Sequence, residues 1–350
     1  MNLYIPKFQN PMISQQKNPL EKVLEKQITS ENKDDHPRFQ ITENPKKADF
    51  FLLPNLWNYY IENHQVEEAI KVYEEATQNG KRLLLISEGD YTANMPFDNS
   101  VVIQSSGFKS RDGLRGTKLL GIPTFIDDYL STYCNGNLQL REKKSIPTVG
   151  FCGQANGSFI DYSRRKVQIA VKQFRYKIGS FKWEPANIEP TRFRNKIIRR
   201  IQKTSGISSN MILRTKYRAG YRPKVKDPFH PSRLEFIQNI LNSDYTICVR
   251  GGGNFSVRFY ETLVLGRIPI FINTDCVMPL DEAVDYKKYM VWVEQDEIPY
   301  IGEKILDFHH SLSNEEFKTL QIECRNFWKN YLTFNGFFNR LPEVLENYKQ

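Results

Sequence analysis

Between Arg250 and Glu261 the chain reads RGGGNFSVRFYE. Gly251, Gly252 and Gly253 follow the apolar run YTICV, so the backbone there can turn sharply and bring its N–H groups close to a ligand with no Cβ in the way. Such a turn suits a phosphate, and Asn254 and Ser256 continue it. Arg258 and Glu261 sit three apart in a segment otherwise apolar almost all round (Phe255, Val257, Phe259, Tyr260, Leu263), the pattern of a largely buried helix. Charges on such a helix must meet each other or face a cleft. An internal Arg258–Glu261 pair is one reading. In the other, Glu261 accepts from the two hydroxyls of a ribose while Arg250 and Arg258 offer forked donors to phosphates. That would be a nucleotide site built without G-x-G-x-x-G or a Walker loop, neither of which occurs in the sequence.

The elements that must position these residues alternate strand and helix. DYTICVR reads as a strand, NFSVRFYETLVLG as a helix stopped by Gly266, and IPIFI as the next strand. Upstream, PSRLEFIQNILNS is an amphipathic helix with Ser232 as its cap and Glu235 three residues on; Ser313 and Glu316 repeat that signature. IPTVGFCGQANG is a strand running into a turn at Gly153, and YSRRKVQIAVKQF behind it is a helix carrying Arg164 and Arg165. Earlier, KKADFFLLP, HQVEEAIKVYEEATQNG and KRLLLIS form one βαβ unit, followed by the strand SVVIQSS. ENKDDHPRF reads as an exposed loop, and the polar stretch from Asn135 to Lys144 as a linker. The expectation is an α/β protein of two Rossmann-like, doubly wound parallel-sheet domains, residues 1–145 and 146–350, facing a cleft, with the last helix packing back on the first domain. Ligands of such sheets sit at the carboxyl ends of strands, where the glycine turn falls.

The chain has 350 residues, 40% hydrophobic and 25% charged, enough apolar material for packed interiors. No apolar run approaches the roughly 20 residues of a membrane span, and the N-terminus has no signal layout. The five cysteines (Cys134, Cys152, Cys248, Cys276, Cys324) form no C-x-x-C pair. These features together read as a cytoplasmic chain. The net charge of +9 is uneven: residues 160–226 hold 19 Lys/Arg and three acids. A field of that sign gathers nucleotide phosphates or anionic headgroups, so peripheral association at the inner face of a membrane is expected. No recognition motif points to nucleic acid. Trp183, Tyr217 and Tyr221 in this zone, and Phe229 just beyond it, can stack on a sugar or base or belong to the core.

The run from Ser243 to Ile298 resembles the exostosin family of glycosyltransferases, glycosyltransferase family 47. The family's strand-end arginine and glycine, its Ser-x-Arg-x-x-Glu helix, its Gly-x-x-Pro and its acidic strand end fall here on Arg250 and Gly251, on Ser256, Arg258 and Glu261, on Gly266 and Pro269, and on Asp275; Pro279 and Asp285 follow. Upstream, KKADFFLLP is similar to its N-terminal Ala-Asp-x-Phe-x-x-Pro strand. The chain departs where many members carry Gly-x-Asp-His after the first helix, reading Gly80, Lys81, Arg82 instead.

The resemblance implies a GT-B fold and an inverting transfer from a nucleotide sugar, with UDP-sugars favoured, to a glycan or glycolipid acceptor in surface or capsular polysaccharide synthesis. Alternatives are a fucosyltransferase-like enzyme using GDP-sugars and a non-catalytic binding member. The leaving diphosphate would be stabilised by Arg250, Arg258, Arg164 or Arg165 and by backbone N–H groups near Gly153, Gly251 and Asn254. No Asp-x-Asp or clustered His/Asp motif supplies metal ligands, so no obligatory metal is expected. The base is sought in the first domain. Asp90, beside Glu88 after the RLLLIS strand, is the first candidate, and Asp127, beside Asp128, the second.

Overall fold

Short apolar runs build two parallel sheets in the computed structural model, which describes residues 1–6, 19–20, 23, 39–91, 95–155, 159–185, 188–221 and 227–349. Most of the expected ENKDDHPRF loop and the end of the basic region, 222–226, lie outside the described residues. The first sheet contains β1 (Asn2–Tyr4), β2 (Gln40–Ile41), β3 (Phe50–Leu52), β4 (Arg82–Ser87), β5 (Val101–Gln104) and β6 (Lys118–Gly121), in the order β2-β1-β3-β4-β5-β6. β3, β4 and β5 are buried along their whole length, as strands covered on both faces must be. One cover is α1 (Trp57–Glu62) and α2 (Val66–Gln78), whose Ala69, Val72 and Ala76 meet Phe51, Leu83 and Leu85.

A short helix, α3 (Tyr129–Tyr133), leads toward the second sheet: β7 (Thr148–Gln154), β8 (Ser208–Arg214), β9 (Tyr245–Cys248), β10 (Ile268–Asn273) and β11 (Val291–Glu294), ordered β11-β10-β9-β7-β8. Around it lie α4 (Phe159–Lys177), α5 (Pro190–Lys203), α6 (Pro231–Leu241), α7 (Val257–Val264), α8 (Ile301–Ser311) and α9 (Asn314–Phe327). The last helix, α10 (Phe334–Leu345), covers the other face of the first sheet, where Phe337 and Leu341 join Leu3, Phe50, Leu84 and Ile103. The fold is thus of the two-sheet GT-B type, every strand pairing being parallel.

Two local readings change. Ser232 is not the cap of α6: Pro231 takes the first helical position, and His230 caps it, its Nδ1 accepting from the Ser232 N–H at 3.2 Å. Ser313 and Glu316 do form a reciprocal capping box. The stretch Asn135–Lys144 is strapped to the second sheet: Arg141 Nε reaches the fully buried Asp244 at 2.5 Å. Nearby, His309 donates from Nε2 to the Lys144 carbonyl and accepts at Nδ1 from Tyr245.

The sheets are joined where β6 and the loop after β5 meet the loop after β10. Gly121 of β6 bridges to Pro279, Phe108 bridges to Cys276, and Ser110 bonds Asp275 through both its N–H and its hydroxyl. Farther out, Arg111 grips Glu184 through two hydrogen bonds of 2.5 and 2.6 Å. All five cysteines are free and buried. No helix among the described residues is long and apolar enough to cross a membrane.

Candidate active site

Because both sheets are parallel, the loops leaving β4 and β5 and those leaving β7 and β9 can meet at their carboxyl ends. The glycine turn after β9 is where they do. A Cβ built on Gly253 would stand 2.4 Å from Ser106 Oγ, so only glycine lets the two domains approach this closely. On Gly252 the same atom would lie 3.3 Å from Oδ2 of Asp90, the carboxylate after β4. Of the two candidate bases, Asp90 is therefore the one against the glycine turn. It stays solvent-exposed, yet partial desolvation raises its pKa above the ordinary carboxylate value. Asp127 is exposed one residue before Asp128, which caps α3 and pairs with Arg325 at 2.5 Å.

Arg250 is buried at the root of the turn, 4% exposed. Its Nη1 donates to Asn254 Oδ1 at 2.9 Å and its Nη2 to the Gly252 carbonyl at 3.4 Å. Asn254, expected to face the ligand, spends its amide inside the protein: Nδ2 donates to the Gly107 and Asp275 carbonyls, and Oδ1 also accepts from Thr274. Its side chain positions Arg250 and ties the domains together. Ser256 occupies the N-cap of α7 without making a side-chain cap bond. Gly251 sits against Arg194, whose Nη groups donate to the Gln154 and Arg250 carbonyls, tying the ends of β7 and β9 together.

Arg258 points back under β7. Its Nη2 donates to the Cys152 carbonyl at 2.7 Å, and its guanidinium lies 4.2 Å from the Phe151 ring centre. Gly153 makes room for it: a Cβ there would fall 2.7 Å from Nη2. Burial lowers the pKa of both Arg250 and Arg258. Neither guanidinium has a carboxylate salt-bridge partner among the described residues, and the Nε of each is buried with no hydrogen-bond partner. Buried cations left this way are costly, and an anionic ligand offsets that cost.

Glu261 resolves the alternative raised by its spacing. It does not pair with Arg258; its Oε1 accepts from Arg233 Nη1 at 2.9 Å and from the Tyr129 hydroxyl at 3.2 Å. Arg233, on α6, also lies over the Tyr129 and Phe236 rings. Only one carboxylate oxygen is engaged in these bonds. Sequence reasoning missed Arg233, Arg194 and Tyr129. For Arg233 the signal was a cation in the first turn of a helix whose other side is apolar.

The other two arginines do not converge here. Arg165 is held by Glu189 Oε1 and Thr191 Oγ1, each at 3.1 Å, at the start of α5, and Arg164 is exposed on α4. Tyr221 stacks on His230, ring centres 3.5 Å apart, and the exposed Phe229 packs edge-on against Tyr133, so an aromatic rim lies beside Arg233. Among the described residues, no group of three or more His, Cys, Asp or Glu side chains is arranged to hold a metal ion.

Residues 136–307 match the Exostosin GT47 domain. The chain is 29% identical over 100 residues to the Exostosin-1 homolog of Caenorhabditis elegans, covering 29% of this chain and 25% of that protein. It is 26% identical over 81 residues to the probable glucuronosyltransferase 47 A of Physcomitrium patens, covering 23% and 18%. The chain therefore spans a quarter or less of the length of these curated relatives. Among solved structures, a TarM variant of S. aureus in complex with UDP aligns over 75% of this chain and 50% of its own, at 9% identity and a TM-score of 0.38.

Proposed function

We propose, from the match of residues 136–307 to the Exostosin GT47 domain, that this chain is an inverting glycosyltransferase of the exostosin family moving a sugar from a nucleoside diphosphate, UDP by preference, to a glycan or glycolipid acceptor of a surface polysaccharide. The observation that carries the reading is the pair of desolvated guanidiniums at the carboxyl ends of β9 and β7, the buried Arg250 and the half-buried Arg258, each with a buried Nε and neither with a carboxylate salt-bridge partner among the described residues. In the proposed complex they balance the diphosphate together with N–H groups of the glycine turn, and the second oxygen of Glu261 accepts from the ribose.

The transfer is a single displacement. The acceptor hydroxyl oxygen bonds to the anomeric carbon as the bond from that carbon to the phosphate oxygen breaks, and the electron pair leaves with the diphosphate. Asp90, facing the glycine turn from the other domain, takes the hydroxyl proton, and its raised pKa makes it a stronger base than an ordinary carboxylate. The arginines supply the leaving-group stabilisation without a required divalent metal. The basic region beyond residue 160 is proposed to hold the protein at an anionic membrane on its cytoplasmic side.

Thermal-shift titration with UDP, GDP and their sugars tests the site. UDP should raise the Tm of the wild type and leave Arg250→Ala and Arg258→Ala unmoved; an equal rise in all three proteins overturns the assignment. Turnover should survive EDTA, and its loss would assign leaving-group stabilisation to a metal.

A further inference from the structure

Helix α4 is unusual in this fold. None of its side chains from Tyr162 to Lys177 is fully buried, although the helix runs for 19 residues. Its inner side touches the protein lightly: Arg165 bonds Glu189 at the start of α5, and Ile169 and Gln173 line a groove of about 700 Å³ against Phe193 of α5. Its outer side carries Val167, Val171 and Phe174, continued by Ile178 in the closing turn, at 63, 52, 63 and 60% exposure. At 3.6 residues per turn these four fall within an arc of about 60°. Isolated exposed apolar residues are ordinary, whereas a continuous stripe of four marks a contact surface.

The charges beside the stripe identify the contact. Arg164 and Arg175 follow one margin and Lys166 and Lys177 the other, all four exposed. From Tyr162 to Ile178 there is no Asp or Glu. An apolar ridge between two rows of cations is the pattern of a helix lying in the headgroup region of an anionic bilayer, its ridge among the acyl chains and its cations at the phosphates. The helix also borders the cleft: Lys172 lies 5.8 Å from the ring centre of Tyr91, next to Asp90.

We infer that α4 is a membrane-docking helix, seating Val167, Val171, Phe174 and Ile178 in an anionic lipid surface so that the cleft beside Asp90 opens at the level of the headgroups. The inference rests on the membrane association proposed above and narrows it to one helix face. An acceptor carried on a lipid would then reach the cleft without leaving the bilayer.

The test uses the full chain in co-sedimentation with vesicles of mixed phosphatidylcholine and phosphatidylglycerol, against vesicles of phosphatidylcholine alone. Wild type should partition onto the mixed vesicles and be released by salt, while Val171→Glu/Phe174→Glu should bind about tenfold more weakly or worse. Both substitutions are on the surface, so the variant should keep the wild-type Tm and the wild-type shift with UDP. If wild type ignores the mixed vesicles, the membrane reading fails together with this inference. If the double variant binds as well as wild type, membrane association stands and the role of α4 is overturned. If sedimentation velocity finds a wild-type dimer that Phe174→Glu separates, the stripe belongs to a second copy of the chain, which also overturns it. The UDP shift, measured without vesicles, reports on the nucleotide site independently of every one of these outcomes.

Discussion

Asp90 and Gly252 meet at the carboxyl ends of two different sheets: a Cβ on Gly252 would stand 3.3 Å from Oδ2 of Asp90. The carboxylate after β4 and the glycine turn after β9 thus form opposite walls of one space, and the missing side chain keeps that space open. This relationship selects Asp90 over Asp127, and it gives the first prediction.

Asp90→Asn should remove most transfer activity, by roughly a hundredfold or more, while leaving affinity for UDP within about twofold of wild type. The wild-type rate should rise with pH through the Asp90 pKa, which partial desolvation raises from the ordinary aspartate value; below it the carboxyl is protonated and cannot accept the acceptor's proton. Initial rates across pH, beside UDP titrations of both proteins, check this. An unchanged rate in the variant removes Asp90 from the mechanism.

Arg258 separates function from stability. It is a half-buried, desolvated cation whose Nε is shut away unpartnered and which has no carboxylate salt-bridge partner among the described residues, so Arg258→Met should leave the Tm of the ligand-free protein unchanged or raise it, despite the lost bond to the Cys152 carbonyl. The same variant should lose the thermal shift that UDP gives to the wild type. If Arg258 were a structural pin, the ligand-free protein would melt well below the wild type instead.

Glu261 is a poor position for alanine scanning. Removing its carboxylate strips Arg233 of its partner at 2.9 Å and frees the Tyr129 hydroxyl. Glu261→Ala should therefore destabilise the fold by on the order of 2 kcal/mol, less than a fully buried pair because Arg233 keeps 26% of its side chain exposed. Glu261→Gln retains an acceptor for Arg233 and should weaken UDP binding with a smaller loss of Tm. The double variant Arg233→Met/Glu261→Gln completes a cycle; additive effects on Tm would mean that the two residues do not interact.

The half of the candidate site that lies in one continuous segment is legible in the sequence. A glycine turn followed by charges in an apolar helix requires only local rules, so Arg250, Arg258 and Glu261 stood out without any knowledge of neighbours. The partners of Arg258 and Glu261 come from segments 28 to 132 positions away, Arg233 and Tyr129 for Glu261 and Cys152 for Arg258, and depend on β9 lying between β7 and β10. Hydrophobic periodicity marks the strands but does not order them. For the same reason Arg165 looked like a ligand when its helix was known but not the position of Glu189, and Asn254 looked like one before Arg250 and Thr274 claimed its carbonyl oxygen. The exposed stripe on α4 was hidden too, because Val167, Val171 and Phe174 have the spacing of a core face until the structure shows which side is covered.

Gly121 tests whether the joint between the sheets sets the geometry of the site. It ends β6, and a Cβ added there would lie 2.5 Å from the Met278 carbonyl carbon and 2.6 Å from the Val277 carbonyl oxygen, both backbone atoms with no rotamer to yield. Gly121→Ala must therefore push the 277–279 segment outward, and overpacking of this kind costs about 1–3 kcal/mol. That segment continues from Asp275, whose carbonyl accepts from Asn254, and Asn254 in turn holds Arg250. The expected outcome is a Tm lowered by a few degrees together with a UDP affinity several-fold weaker in the folded protein, read by calorimetry at a temperature well below the transition. A lowered Tm with wild-type UDP affinity would show that the joint carries stability alone and that the glycine turn keeps its shape without it.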